Sequence, residues 1–450
     1  MQNVIKLHKG LDIHLKGRSK EVKSEMVKSR IYAIVPDDFV GVVPKMIVRE
    51  SDRVKAGDTL FVNKKYEEVT FSSPVSGVIK EIVRGDRRKI LYIKIEADQE
   101  QEFLDFGKKD VRQLSSQEVI DILLAAGLFG YINQLPYAVS TNPRTLPKAI
   151  FVSAFRNMPL ANRFEFELQG NEDAFQTGLT ALSKIAKTYL NRHINQTSEV
   201  LTKAQDVELT TFDGPCPSGN VGIQINHISP VNKGDLVWTV DPTVVIFIGR
   251  LLLKGQLDLT RTLAIAGSEV RNPIYIDALV GTPLSDLLQN QLMHIDHIRI
   301  INGNPLTGRK CNLNDYVGAH TSEICVIPEG DNENELFGWI SPRVKQFSAS
   351  HSYFSWLLGH KKEYIADARI KGGERHMIMS GEYDKVLPMD IYGEYLIKAI
   401  ITGDIDKQEQ LGIYEISPED FALAEFVDSS KLELQRIVRK GLDILRKENA

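Results

Sequence analysis

The chain has 450 residues, 42% of them hydrophobic, with 55 basic against 59 acidic side chains and a formal net charge of −4. This balance leaves no global field to draw in DNA or RNA, and no aromatic-rich basic stripe compensates, so no nucleic-acid partner is expected. Length and composition suggest about three or four packed domains. The longest apolar runs, such as Val244-Val245-Ile246-Phe247-Ile248, fall far short of the roughly 18 residues that span a bilayer, so no transmembrane segment is expected.

The opening Met1-Gln2-Asn3-Val4-Ile5-Lys6-Leu7-His8-Lys9-Gly10 interrupts its apolar residues with charge. It lacks the continuous apolar stretch of a signal peptide, and a cytoplasmic location is expected. Val54-Lys55-Ala56-Gly57-Asp58 and Ser73-Pro74-Val75-Ser76-Gly77-Val78-Ile79 bracket two β-rich runs, Leu60-Phe61-Val62 and Val69-Thr70-Phe71, around a polar tip from Asn63 to Glu68. Gly57 and Gly77 suit positive φ or close backbone approach. This pair of motifs resembles the core of a lipoyl or biotinyl carrier domain. Such a carrier bears its modified lysine at the tip, in Met-Lys-Met or Asp-Lys-Ala, and neither triplet occurs here. Lys64 and Lys65 are therefore read as solvated charges, the alternative being a carrier protein modified at one of them.

The period then changes. Ser115 and Glu118 have the spacing of a capping box, and Val119, Ile122, Leu123 and Ala126 form one helical face ending near Gly127. Ala149 to Ala154 reads as a buried strand, and Phe175, Leu179, Leu182, Ile185 and Tyr189 follow Asn171 at helical spacing. Val244 to Ile248 reads as another buried strand, and the alternation favours a Rossmann-like α/β domain. A flavin or dinucleotide site needs bare N–H groups at a glycine-rich strand-to-helix turn. Gly127-Leu128-Phe129-Gly130 carries a bulky pair between its glycines, and Cys216-Pro217-Ser218-Gly219-Asn220-Val221-Gly222 contains a proline that removes a donor. Both are read as ordinary loops.

A third unit starts near Asp258. Thr262 to Gly267 suggests a strand, Arg271-Asn272-Pro273 a turn and Ile274-Tyr275-Ile276 a second strand. Thr282 and Pro283 fit the N-cap and first position of a helix through Leu284, Leu287 and Leu288, and the unit runs on through Ile298 to Gly308. A β-grasp domain explains this order. From Phe337-Gly338-Trp339-Ile340 the chain becomes aromatic in its loops and then helical, with Ser417-Pro418 and Ser430 as helix starts and a late helix carrying Leu434, Ile437, Val438 and Leu445.

Other chemistry is poorly supported. Cys216, Cys311 and Cys325 form no Cys-x-x-Cys, and their odd number argues against a disulfide framework or iron-sulfur ligation, which usually takes four thiolates. His294 and His297 share a possible helical face, but zinc requires a third ligand and none declares itself, so no metal is expected. His351, Tyr353, Phe354, Trp356 and His360 form an aromatic cluster suited to packing or to docking a partner. No nucleophile motif and no marked acid–base carboxylate pair appears, so no catalytic residue is named.

Taken together, the carrier-like barrel, the α/β stretch and the β-grasp motifs Ala266-Gly267-Ser268-Glu269-Val270-Arg271-Asn272-Pro273 and Gly303-Asn304-Pro305-Leu306-Thr307-Gly308 are similar, in order, to the A subunits of the sodium-translocating NADH:quinone oxidoreductases. So are Ile5 to Ile13, Phe337 to Ile340 and Val386-Leu387-Pro388-Met389-Asp390. The resemblance implies four domains: a barrel-sandwich over 1–105, a Rossmann-like α/β domain over 106–257, a β-grasp domain of the SLBB type over 258–330 and a helical domain over 331–450. It implies a cofactor-free peripheral subunit on the inner face of the bacterial membrane, held by its partners, above all the B subunit, in a complex that reduces quinone with NADH and exports Na⁺. The related flavin subunits carry Gly-x-Gly-Gly-x-Gly-Phe-Pro where this chain has Ala126-Gly127-Leu128-Phe129-Gly130-Tyr131. Quinone binding is also implied, with Phe129, Tyr131, Gln134 and Tyr137 as candidates. Phe129 stands for the family's Trp and Gln134 for its Arg, and the alternative for this segment is a loop packing two domains together. The alternative for the chain is an electron-entry subunit holding FMN and NADH at an atypical nucleotide site.

Overall fold

The computed structural model describes residues 4–332, 343–344, 346–350, 353–358 and 362–449. The Phe337 to Ile340 motif, His351, His360 and the Trp356 side chain lie outside the described residues.

The first segment belongs to other units. Strand β1 (Val4–Lys6) pairs in parallel with Thr211–Asp213 at the edge of the large α/β sheet, and β2 (Lys23–Ser24) pairs with Tyr275 and Ile276 at the edge of the β-grasp sheet. The unit expected over 1–105 thus begins its own strands only near Ile31. An open sheet edge offers unpaired N–H and C=O groups, and this segment satisfies two such edges in succession.

The barrel-sandwich contains β3 (Ile31–Ile34), β4 (Pro44–Met46), β5 (Arg53–Val54), β6 (Thr59–Asn63), β7 (Tyr66–Ser72), β8 (Gly77–Arg84) and β9 (Ile90–Ala97). They form sheets in the orders β3-β9-β8-β5 and β4-β6-β7. The alternation read in β6 and β7 buries Leu60, Phe61, Val69 and Phe71, and the rings of Phe61 and Phe71 stack at 4.4 Å. Gly57, at φ +102°, donates its N–H to Ser73 O at 2.9 Å, and Ser73 N returns a bond to Asp58 O at 2.8 Å, which ties the two opening motifs together. Lys64 and Lys65 sit at the exposed hairpin tip.

Helix α1 (Ser116–Ala125) starts with the anticipated capping box: Ser115 N donates to Glu118 Oε2 at 2.8 Å and Glu118 N to Ser115 Oγ at 3.3 Å. Then follow β10 (Asn133–Leu135), β11 (Val139–Ser140), β12 (Ala149–Ser153), α2 (Phe164–Glu167), α3 (Glu172–Ile185), β13 (Thr188–His193), α4 (Glu199–Thr202), β14 (Glu208–Asp213), α5 (Val221–Ile228), β15 (Val237–Thr239) and α6 (Pro242–Lys254). The sheet order is β1-β14-β13-β12-β15-β10-β11, parallel from β1 to β15. Strand order reverses at β12, whose successors β13 and β14 lie on one side and β15 on the other.

Two readings of this region are corrected. Val244 to Ile248 is the middle of α6, not a strand. Asp241 caps that helix through Thr243 N at 2.9 Å, Pro242 opens it and Gly255, at φ +72°, ends it. The helix is buried on nearly every face against α3, so its apolar residues run without a helical period, and such a run cannot be told from a buried strand by pattern. Tyr189 leaves the α3 series and lies on β13.

The third unit has β16 (Thr260–Ala266), β17 (Ile274–Leu279), α7 (Leu284–Leu288), β18 (Ile298–Asn302), β19 (Arg309–Cys311) and β20 (Glu323–Pro328), in the order β19-β18-β20-β16-β17-β2. First and last strands, β16 and β20, pair in parallel at its centre beside the β16–β17 hairpin, the β-grasp arrangement. Pro283 is the N-cap of α7, and Thr282 Oγ1 instead donates to Leu279 O at 2.8 Å. His294 and His297 share no helix. They lie on the α7–β18 connection, where His297 Nδ1 is 2.8 Å from Asp331 Oδ1.

Beyond residue 382 come α8 (Tyr383–Val386), α9 (Gly393–Thr402), α10 (Ile405–Gln410), α11 (Ala422–Val427) and α12 (Leu434–Glu448). Leu434, Val438, Leu442 and Leu445 of α12 are buried in a core continuous with Leu7, Phe212 and Ile223 of the α/β unit. Ser417 begins a short 3-10 turn, as its Ser-Pro sequence suggests. Ser430 begins no helix: α12 starts after Glu433, and Ser430 Oγ accepts from Ile378 N at 3.0 Å.

Candidate functional site

In an open parallel sheet, ligands bind beyond the carboxyl ends of the strands where strand order reverses. Here a cleft of about 390 Å³ occupies that place. One wall is built from Ser153 to Met158 after β12, Thr239 to Pro242 after β15 and Gly219 to Val221 before α5; the other from Asn302 to Asn304 and His320 to Glu323 of the β-grasp unit, with Glu419 from the C-terminal helices. A neighbouring cavity of about 400 Å³ shares Phe155 to Met158 and opens toward His14, Arg18, Arg163 and His193. The β-grasp rim is fixed by its own motif. Gly303 takes φ +108°, Asn304 Oδ1 accepts from Leu306 N and Thr307 N at 3.0 Å each, and Gly308 N donates to Asn304 O at 2.8 Å.

The floor is a buried ion network. Arg156 donates to both oxygens of Asp241 at 3.0 and 2.9 Å and to Glu167 Oε2 at 3.3 Å. Burial alone would raise the Asp241 pKa, but Arg156 and Arg261 outweigh it and bring the carboxyl down to about 2. For Glu167, wholly enclosed, burial prevails over both arginines and the pKa rises. Arg261 is 2% exposed; it donates to Ala319 O at 2.9 Å, its Nη2 stands 4.0 Å from Asp241 Oδ1, and its cation lies 5.9 Å from the Phe247 ring centre. Removing one member of such a network strands a charge in low dielectric.

Above this floor the cleft presents polar side chains that the fold leaves unused. Among the described residues, Asn133, Thr239, His320 and Glu419 line it without a side-chain hydrogen-bond partner. Asn157 and Asn304, by contrast, are spent on the backbone of Gly219 and of Leu306 and Thr307. The His320 ring packs edgewise on Phe39 and Tyr131, at 5.7 and 5.5 Å between centres, and burial brings its pKa down to about 4. At neutral pH it therefore carries one N–H donor and one acceptor nitrogen. Phe155, Met158 and Val240 add apolar wall.

The four candidates read from sequence do not converge. Phe129 is fully buried, edge to face with Trp238 at 5.4 Å. Tyr131 is buried behind His320, and burial raises its hydroxyl pKa. Gln134 Oε1 accepts from Thr141 Oγ1 at 3.1 Å, and Tyr137, at φ +84°, reaches Asn449 through its hydroxyl at 3.4 Å. Of that segment Asn133 alone lines the cleft. Thr239, His320 and Glu419 carried no spacing signal, because they come from three different units.

The Gly127 to Gly130 loop is closed by protein. A Cβ on Gly127 would lie 2.5 Å from Ser72 Oγ, and one on Gly130 would lie 2.3 Å from the Phe71 ring, so both serve the approach of the barrel. The Cys216 to Gly222 stretch, read as an ordinary loop, is a strand-to-helix turn at the cleft, and the carboxylate of Asp420 packs on it: a Cβ on Gly222 would lie 2.3 Å from Asp420 Oδ2. The three cysteines are free and buried, and no metal-holding group of His, Cys, Asp and Glu occurs among the described residues.

Parallel α/β and β-grasp units close with the C-terminal helices on one shared cleft, a barrel-sandwich unit packs beside them, and together they define a multi-unit protein; no helix among the described residues is long and apolar enough to cross a membrane. Residues 5–98 match the model of the NqrA N-terminal barrel-sandwich hybrid domain, 114–257 the NqrA second alpha/beta domain and 262–312 the NQRA C-terminal domain. The A subunit of the Na(+)-translocating NADH-quinone reductase of Yersinia pestis is 33% identical over 454 residues, covering 99% of this chain and 100% of the relative. That of Marinomonas sp. is 32% identical over 448 residues, covering 98% and 99%. The chain belongs to the NqrA family, the A subunits of the Na(+)-translocating NADH-quinone reductases. Among solved structures, an NAD+-reducing [NiFe]-hydrogenase in the air-oxidized state aligns at a TM-score of 0.33 and 10% identity over 68% of this chain and 55% of that one, too distant to bear on this fold.

Proposed function

We propose that this chain is the cofactor-free peripheral subunit of its complex, held at the cytoplasmic face by membrane partners that include the B subunit, and that its cleft holds the quinone head group. The unpartnered polar set in the cleft carries this reading. A quinone presents two carbonyl oxygens that accept hydrogen bonds and a flat ring that packs on apolar surface. The Asn133 amide, the Thr239 hydroxyl and the His320 N–H supply donors, and Phe155, Met158 and Val240 supply wall. Electrons from NADH would arrive through the rest of the enzyme as it exports Na⁺. Photo-crosslinking a quinone analogue to the assembled complex, followed by peptide mapping, should label peptides containing Asn133, Thr239 or His320. Label confined to other subunits would refute it.

The position of the cleft at the strand-order reversal favours a second reading, an FMN- and NADH-holding entry subunit. Against it, the barrel fills the space beside Gly127 and Gly130. Flavin absorbance and an NADH titration of the purified chain separate the two: stoichiometric FMN with NADH oxidation would favour the second.

A further inference from the structure

Among the described residues the barrel contributes no side chain to the cleft, yet it holds one that does. Contact is made by the 3-10 turn Pro36–Asp38, which follows β3, and by Phe39. Asp38, 13% exposed, accepts from Ala319 N through Oδ2 at 2.8 Å, and Ala319 is buried. Arg261 of β16 donates to the carbonyl of the same residue at 2.9 Å. Both polar groups of the residue before His320 are thus fixed, one by the barrel and one by the β-grasp sheet. The His320 ring packs on Phe39 of the barrel and on Tyr131, and those two rings meet edge to face at 5.0 Å. Phe71 of β7 backs Phe39 at 4.4 Å, so the surface under His320 is anchored in the barrel core.

Further ties keep this turn and the loop between β19 and β20 together. Ala33 N donates to Gly281 O at 2.9 Å, and the Tyr92 hydroxyl of β9 donates to Asp315 Oδ1 at 2.8 Å. Arg309 Nη2 stands 3.7 Å from the second oxygen of Asp38.

We propose that Asp38 is a positioning residue through which the barrel sets the His320 ring for the ligand carbonyl in the cleft. This rests on the quinone reading above. Without Asp38 the buried Ala319 N–H has no acceptor, and a buried donor left unmade costs more than the bond itself contributes. The loop must then move to reach water, and His320 moves with it. A neutral imidazole donates through one N–H, so a displaced ring loses its bond to a carbonyl oxygen while the rest of the cleft keeps its shape. The barrel thereby takes part in binding without touching the ligand.

The test uses the assembled complex carrying Asp38→Ala, Asp38→Asn, His320→Ala, or Asp38→Ala together with His320→Ala, with steady-state reduction of a short-chain quinone scaled to complex content. For Asp38→Ala the expected result is a rise in KM for quinone of about 3- to 10-fold, the worth of one neutral hydrogen bond, with kcat little changed. Asp38→Asn keeps an acceptor oxygen for Ala319 N–H and should restore the wild-type KM. With His320 already removed, Asp38→Ala should add nothing, because a residue that acts through another has no effect once that one is gone. Should Asp38→Ala fail to assemble, Asp38→Glu takes its place: it keeps the charge, moves the carboxylate by one methylene and should raise KM in the same way. Wild-type KM in Asp38→Ala or in His320→Ala would overturn the proposal. So would effects of the two changes that multiply, the mark of a general loss of packing. If the photoreactive quinone labels the cleft of the wild-type complex, such a failure falls on Asp38 and His320 alone. If it does not, the quinone reading itself has failed.

Discussion

Phe129→Ala separates packing from quinone contact most sharply. The side chain is fully buried, and its ring meets Trp238 edge to face at 5.4 Å. Truncation removes the whole ring from a site with no access to water, and the hole is walled by the short turn after α1 and by β15. Buried Phe→Ala changes cost about 3–5 kcal/mol, of which ~0.5–1.5 kcal/mol reflects the lost ring pair. Phe129→Leu keeps most of the volume and should cost under about 1.5 kcal/mol. Urea unfolding followed by tryptophan fluorescence checks this, because Trp238 is one of three tryptophans in the chain. A chain of several units need not unfold in one step, so the first transition is the one to compare. Phe129→Ala within about 1 kcal/mol of wild type would refute the packing argument. So would Phe129→Leu with unchanged stability and a raised KM for quinone, since that pattern belongs to a residue touching ligand.

Acid should destabilise the chain in two stages. His320, with its pKa lowered to about 4, makes stability rise with pH between about 4 and 6.5. Asp241, lowered from 3.8 to about 2, adds about 2 kcal/mol that is present above pH ~4 and lost as pH falls toward 2; denaturant midpoints across that range should fall accordingly, and a flat profile would contradict it. Asp241→Asn should remove the second stage and, by leaving Arg156 underpaired, cost about 3–5 kcal/mol, read in the same titration. Gly222→Ala forces a Cβ to 2.3 Å from Asp420 Oδ2, so it should cost about 1–3 kcal/mol and speed limited proteolysis of the C-terminal helices; wild-type resistance would show that the contact gives way. Intact mass of the purified chain should show no adduct on Lys64 or Lys65, whereas a lipoyl or biotinyl increment would restore the carrier reading.

What could be read along the chain was whatever neighbouring residues settle among themselves. The Ser115–Glu118 capping box, the alternation through Leu60 to Val62 and Val69 to Phe71, and the hairpin from Thr262 to Ile276 each depend on side chains a few positions apart. The order of these local signals was enough to place the chain in its family. Tertiary structure decided the rest. Val244 to Ile248 became a helix because burial on all sides erased the period that distinguishes helix from strand. Residues 4–6 and 23–24 went to two foreign sheet edges because those edges needed partners. Phe129, Tyr131, Gln134 and Tyr137 do not line the shared cleft, whereas Asn133, Thr239, His320 and Glu419 do, for a related reason. Which side chains stay unpartnered in a shared cleft depends on how separate units close on one another, and spacing within any one segment does not encode that.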